Sequence, residues 1–509
     1  MIVAARIGST WFRMTAAAIS FIIYASAVLA LHQQDDNALC CERIGLATAV
    51  SHVVYGAPLG TVYPEIQKQL LDMQAPVEAA LERVTHLAPP PEHPTMPIND
   101  GNGVGFILVA NWAVGLFGAH LSALPCLMLA LMGVSAAAFL WRFNDDRSAV
   151  VTVTFLSLTL MLCTPLVSDP RFAGQIVIGG IRYFSLLAIV PAFHLVLEIA
   201  DGKGPSRNAG KLPALLLTVQ VVLLTIAILV RGNAAYVIGP IVLIGLVRAW
   251  RFRRNRTELG ALWSKAAVIT LVGGVFVGSL LAALPSRYIR DGRITTVFWH
   301  RTVISLGVNP AWPFGNLHEI YDCRNGDIPE GLTVGTLDRN GHCIWWHYVA
   351  AHNIAREGAL AKVGGSLYEE ALRAAFFDIA RLYPHEVLAT FIYYKPVWLL
   401  QAMEFLVLNP AVPSPILMAL VIAGLANFLL FLVVEASSST GSAILLRLLG
   451  LGALLGVSSI PAYFTAWATP HTIADLLFYC LFCIGLGIGS AVKPIGATVR
   501  RTSAMLARA

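Results

Sequence analysis

The chain has 509 residues, 57% hydrophobic and 13% charged, with a mean hydropathy of +0.70. A soluble domain cannot hide that much apolar surface. The net charge of +6 comes from basic residues beside apolar runs, not from a patch that would hold nucleic acid. Several runs reach the ~18–20 apolar residues a bilayer crossing needs, so the composition leaves an all-α polytopic membrane protein.

In chain order, Arg6 and Arg13 precede an apolar run that closes near Leu31. The run is long for a signal peptide and many more follow it, so it reads as an uncleaved first span with the N-terminus in the cytoplasm. Residues 32–102 then form a hydrophilic, mainly acidic segment expected outside. At its start stand Asp35 and Asp36, where the first helix surfaces. Within it Ile66, Leu70, Met73, Val77, Leu81 and Val84 recur at helical spacing, with a break expected at Pro76. That amphipathic stretch either lies in the membrane interface or covers a cap, and both readings stand at this point.

Further apolar runs cover about 104–118, 121–141, 149–167, 173–199, 213–230, 234–250 and 264–284 by the spanning criterion. Arg248, Arg251, Arg253, Arg254 and Arg256 mark one turn as cytoplasmic. Parity then requires one run before residue 285 not to cross. The candidates are 104–118, which is short, and 173–199, which holds Arg182 and several glycines.

A second hydrophilic segment covers 285–387. Its Ser366–Leu382 stretch reads as an amphipathic helix, with Ser366 and Glu369 spaced as a capping box. Cys323 and Cys343 bracket a glycine-rich turn, and in an oxidising compartment they are expected to pair. Cys126, Cys163, Cys480 and Cys483 fall in apolar runs and read as small buried hydrophobes. The steps between His342, His347 and His352 do not share a helical face, so no metal is expected there. Residues 388–408 read as an interfacial helix. Three spans near 411–434, 441–460 and 470–492 return the C-terminus to the cytoplasm, for a total of about ten crossings. The units expected are a transmembrane module at 1–284, an extracytoplasmic domain at 285–410 and a C-terminal module at 411–509. The spans read as poor in buried charge, which speaks against a carrier.

This layout resembles the GT-C superfamily of membrane glycosyltransferases, in particular its protein mannosyltransferase-like and aminoarabinose transferase-like group. In that group the first outer loop opens with paired acidic residues, matched here by Asp35-Asp36-Asn37-Ala38. The loop ends in a proline-containing segment and an apolar helix closing in Phe-Gly. Pro97-Ile98-Asn99-Asp100-Gly101 and Gly115-Leu116-Phe117-Gly118 stand at those places. The family's Pro-Pro pair is absent, replaced by Gly101-Asn102-Gly103, and so is the basic residue many members carry nearby.

The resemblance implies a sugar donor on a polyprenyl phosphate and an acceptor from the extracytoplasmic side, at a bacterial inner membrane. It gives Asp36, or Asp35, the role of general base. Asp100 is a second acidic residue toward the acceptor. Arg171, Arg182, Arg231, His300 and Arg301 are the candidates for stabilising the leaving phosphate. It calls for no cofactor and leaves a divalent metal open. The rival readings are an O-antigen-type polysaccharide polymerase and a non-catalytic transport or assembly protein.

Overall fold

The computed structural model describes residues 2–32, 40–72, 76–88, 93–96, 104–168, 181–201, 212–286, 298–311, 366–398, 400, 415–437, 441–464 and 475–487. Among these residues the fold is all-helical. The sole extended pairing is an isolated antiparallel bridge between Val62 and Thr95. Six helices are long and apolar enough to cross a membrane, and four shorter apolar stretches accompany them.

Helix α1 (Ile2–His32) packs between α7 (Asp146–Ser168) and α15 (Pro415–Ser437). Asn427 on α15 fixes the pair, its Nδ2 donating to Ser20 Oγ at 2.8 Å and to the Ala16 carbonyl at 3.3 Å. Phe12 stacks on Phe431 two turns away. An amide and a hydroxyl inside apolar helices need such partners, because no water is there to satisfy them. The other face of α1 leaves Trp11, Ile19, Ile22 and Leu29 exposed, as a lipid-facing helix requires.

The first hydrophilic segment folds onto the bundle. Helix α2 (Cys40–Val53) is buried almost throughout and packs on α5 (Val104–Phe117). Helices α3 (Pro64–Leu70) and α4 (Val77–Thr85) lie over α2, with Ile66, Leu70, Val77, Leu81 and Val84 fully buried. The amphipathic stretch therefore covers a protein core and does not rest on lipid. Each such side chain contributes roughly 1.5–3 kcal/mol when taken out of water.

Helix α6 (Ala123–Phe143) stops where Asn144 adopts the left-handed conformation, φ 44°, and donates its backbone N–H to the Leu140 carbonyl. Asn tolerates that region better than most residues. Asp145 Oδ1 then accepts the Ser148 N–H at 3.0 Å and starts α7. After a 3-10 turn (Ile181–Ala188), α8 (Ile189–Asp201) continues as the centre of the bundle. The Tyr183–Ala200 stretch is 94% buried inside the protein, against 6% for α11 (Arg256–Ala283) at the periphery. Helices α9 (Leu212–Val230) and α10 (Ile238–Arg251) lie between them, joined through Arg231 and a 3-10 turn (Gly232–Val237). Asn255 caps α11 by accepting the Glu258 N–H.

Helix α5 is one of the two candidates for the run that does not cross. Its first turn rests on the Leu229–Val230 end of α9, where a methyl on Gly105 would lie 2.5 Å from the Val230 nitrogen. Turn 118–122 then leads directly into α6, whose far end lies with Arg142. With 14 residues α5 rises about 21 Å, short of the ~30 Å hydrocarbon core. It falls among the shorter apolar helices, outside the six that are long enough to cross.

In the second hydrophilic segment, α12 (Phe298–Ile304) packs on α13 (Ser366–Leu382) through Trp299 against Phe376 and Phe377. Glu369 accepts the Trp299 N–H at 2.7 Å, so the carboxylate at the expected capping position also ties the two helices together. Helix α14 (Pro384–Ala389) follows and continues through a π-turn at Thr390–Tyr394. Helix α16 (Gly441–Phe464) and α17 (Asp475–Gly487) complete the described bundle. Tyr479 of α17 accepts from or donates to Tyr236 Oη at 2.9 Å beside α10. Cys126, Cys480 and Cys483 are free and half-buried, less enclosed than their apolar surroundings imply.

Candidate functional site

Two ends of the bundle carry charge, and the helix directions distinguish them. Arg13, Asn144, Asp145 and Ser148 meet at one end, with Arg142, the Glu198 end of α8 and the first turns of α11. The opposite end holds the α1 exit at His32, α2, α5 and the α9–α10 joint. It is called the loop end here.

In chain order the expected catalytic pair falls between two helices that end and begin at the loop end. Helix α1 closes at His32 and α2 opens at Cys40, so both flanks of link 33–39, which contains Asp35 and Asp36, are anchored. Asp35, Asp36, Asp100, Arg171, Cys323 and Cys343 themselves lie outside the described residues, as do His342, His347 and His352. Arg182 falls in the Ile181–Ala188 turn and His300 in α12, with both side chains outside the description.

Arg231 is a buried cation of this end. It ends α9, with φ −135° and ψ 98°, and is 7% exposed. Its N–H donates to the Ala227 carbonyl and its own carbonyl accepts from Ala234, so the backbone is fixed on both sides. A short path of contacts joins it to the helix that follows the carboxylate pair. Gly45 of α2 lies against the Phe106 ring, and Gly105 beside it lies against the Leu229–Val230 peptide. Both close approaches require glycine, because a Cβ would overlap a ring in one case and backbone in the other. Arg43 stiffens the same region. It is buried, and its Nη1 donates to the Leu70 and Asp72 carbonyls at 3.2 and 2.7 Å, closing the end of α3. Tyr55 donates to the Val84 and Leu87 carbonyls, and burial raises its hydroxyl pKa.

Arg301 belongs to the second hydrophilic segment. It is half-buried in α12, whose main described packing is with α13. The structure therefore places Arg231 at the loop end and leaves Arg301 in the other hydrophilic segment.

The opposite end contains residues the sequence reading missed. Glu198 of α8 takes a two-pronged grip from Arg142, at 2.8 and 2.9 Å. Lys265 of α11 reaches the same carboxylate at 2.9 Å and the Glu198 carbonyl at 2.7 Å. One turn earlier the His194 ring is fully buried against Phe139 and Phe143, with no hydrogen bond to either nitrogen. The expectation that the spans are poor in buried charge is thus corrected, since three spanning helices meet on one carboxylate. The available signal was Glu198 and Lys265 inside apolar runs and Arg142 just past the end of another. Among the described residues no three His, Cys, Asp or Glu side chains gather to hold a metal ion.

The class that fold and charge define is an all-helical integral membrane protein with a capped, charge-bearing loop end. No protein-family model, no curated protein and no solved structure matches this chain.

Proposed function

We propose that the chain is a membrane glycosyltransferase of the GT-C kind, moving a sugar from a polyprenyl phosphate to an acceptor on the extracytoplasmic side. The observation that carries this reading is the bracketing of the Asp35–Asp36 link by α1 and the buried α2, at the same end as Arg231. A polyprenyl donor moves only within the bilayer and its acceptor only in water. A carboxylate where a helix leaves the membrane is where the two can meet. Asp36, or Asp35, takes the acceptor hydroxyl proton as the acceptor oxygen bonds to the anomeric carbon. The bond from that carbon to the phosphate oxygen breaks, and the polyprenyl phosphate leaves with the electron pair. Arg231 then offers charge to the leaving phosphate, and its burial strengthens that interaction.

On this reading the loop end is extracytoplasmic. The first span runs outward, α5 stays at the outer face, and α6, α7, the Tyr183–Ala200 unit, α9, α10 and α11 alternate. The parity before residue 285 then closes, and both termini lie in the cytoplasm of a bacterial inner membrane. Cysteine labelling at residue 330 tests the topology, since modification from the cytoplasmic side overturns it. Turnover of polyprenyl-phosphate sugar tests the chemistry, in membranes holding equal amounts of wild type, Asp35→Asn and Asp36→Asn. One variant is expected to lose ~10²–10⁴-fold in rate. If both keep near-full turnover, the catalytic assignment is wrong. If wild type consumes no such donor, a polymerase or an assembly role takes its place.

A further inference from the structure

The end of the bundle around Glu198 holds a second feature that sugar transfer does not use. Helices α10 and α11 diverge as they leave their connecting turn and touch only sparsely. Between them opens a groove of about 300 Å³, with Ile199 of α8 at its floor and Gly245, Ala249, Leu262 and Trp263 among its walls. That volume is at the lower end of the roughly 300–1,000 Å³ typical of small-ligand pockets. The lining is apolar, apart from Thr270, and α11, which supplies one wall, is the least buried of the six candidate spans. Trp250 and Trp263 stand 69% and 64% exposed, Trp263 in the groove wall and Trp250 beside the turn, and indole rings favour a membrane interface.

The turn below the mouth supplies charge. Arg248 is held by Glu258 at 3.5 Å and by the Phe252 ring, and Arg253 lies over Trp250. Arg251, Arg254 and Arg256 are exposed and make no ion pair with any described residue. Leu262 lies roughly 9 Å of helix rise beyond Arg256, so one amphiphile can reach both the wall and the turn. A zwitterionic lipid could fill the apolar space but would leave three cationic side chains without a counter-charge. We propose that this groove is a binding site for an anionic phospholipid, with one acyl chain between α10 and α11 and the phosphate on the arginine turn. Basic pockets between membrane helices recognise acidic headgroups by the same two terms.

Gly245 allows a direct test, because a Cβ built there meets nothing within 4 Å. A larger side chain at that position enters the groove without displacing protein. The full-length protein, stripped of lipid in detergent, is given phosphatidylglycerol or phosphatidylcholine. Its melting temperature and the phospholipid retained after washing are then read. Wild type is expected to gain several degrees with phosphatidylglycerol, to retain it, and to gain much less with phosphatidylcholine. Gly245→Phe and the triple variant R251Q/R254Q/R256Q should each lose the preference. The triple variant changes only an exposed turn, so it keeps the test valid if Gly245→Phe fails to fold. Equal response of wild type to both lipids overturns the site, as does an undiminished phosphatidylglycerol response in the triple variant. A thermal shift that follows protein concentration instead of lipid assigns the groove to a second copy of the chain and also overturns it. The outcome is independent of whether the protein transfers sugar.

Discussion

The two ends of this bundle handle charge in opposite ways. Around Glu198, the charges sit on helices and satisfy one another. Arg142 and Lys265 occupy both carboxylate oxygens, and three helices are locked by one acidic side chain. At the loop end the ionisable residues of interest fall in the joints: Asp35 and Asp36 between α1 and α2, Asp100 before α5, Arg231 between α9 and α10. Helices such as α2 and α5, packed through glycine contacts, hold those joints from below. The difference teaches where to look for chemistry. A carboxylate already saturated by two cations acts as a clamp, whereas the proposed function needs one still open to a substrate.

The sharpest way to break this contrast is to neutralise one carboxylate at each end. Asp36→Asn, or Asp35→Asn, should cost ~10²–10⁴-fold in sugar turnover with little change in melting temperature. Glu198→Ala should do the reverse. It strands Arg142 and Lys265 in a buried site, for which about 3–5 kcal/mol of destabilisation is expected, read as loss of folded protein on heating in detergent. Any Glu198→Ala protein that remains folded should keep its turnover per folded molecule. If it is instead stable and inactive, the roles of the two ends have been exchanged.

A smaller effect sharpens the account of the loop end. Gly105→Ala pushes a methyl into the Leu229–Val230 peptide, which cannot yield as a flexible side chain would. Overpacking of this sort costs typically 1–3 kcal/mol. Because it also moves α5 relative to Arg231, turnover should fall further than the stability loss explains. The mildest change is Asn427→Ala on α15. It removes the bonds to Ser20 and Ala16 and should cost about 1 kcal/mol, with turnover per folded molecule unchanged. A large loss of turnover there would mean that the seating of α1 against α15 reaches the Asp35–Asp36 link.

Much of the helical content was legible from local pattern. The apolar runs at 213–230 and 234–250 became α9 and, behind its short 3-10 turn, α10. The stripe from Leu367 to Leu382 became α13. Of the candidate site, Arg231 was legible as a cation beside an apolar run, and in the structure it is buried. The Glu198 cluster was not. Its members lie in or just past runs that read as membrane by average hydropathy, and averaging hides a single ionisable residue.

The sequence by itself determined which segments are helical, how apolar they are and where charge falls along them. All of these follow from neighbours within a few turns. Only the tertiary structure decided that α5 rests on the end of α9, that α3 and α4 cover α2, and that Glu198 closes on both Arg142 and Lys265. Each of those depends on partners dozens of residues apart. Periodicity tells a helix which face is apolar, but it cannot say whether lipid or another helix will cover that face, because both offer the same apolar environment.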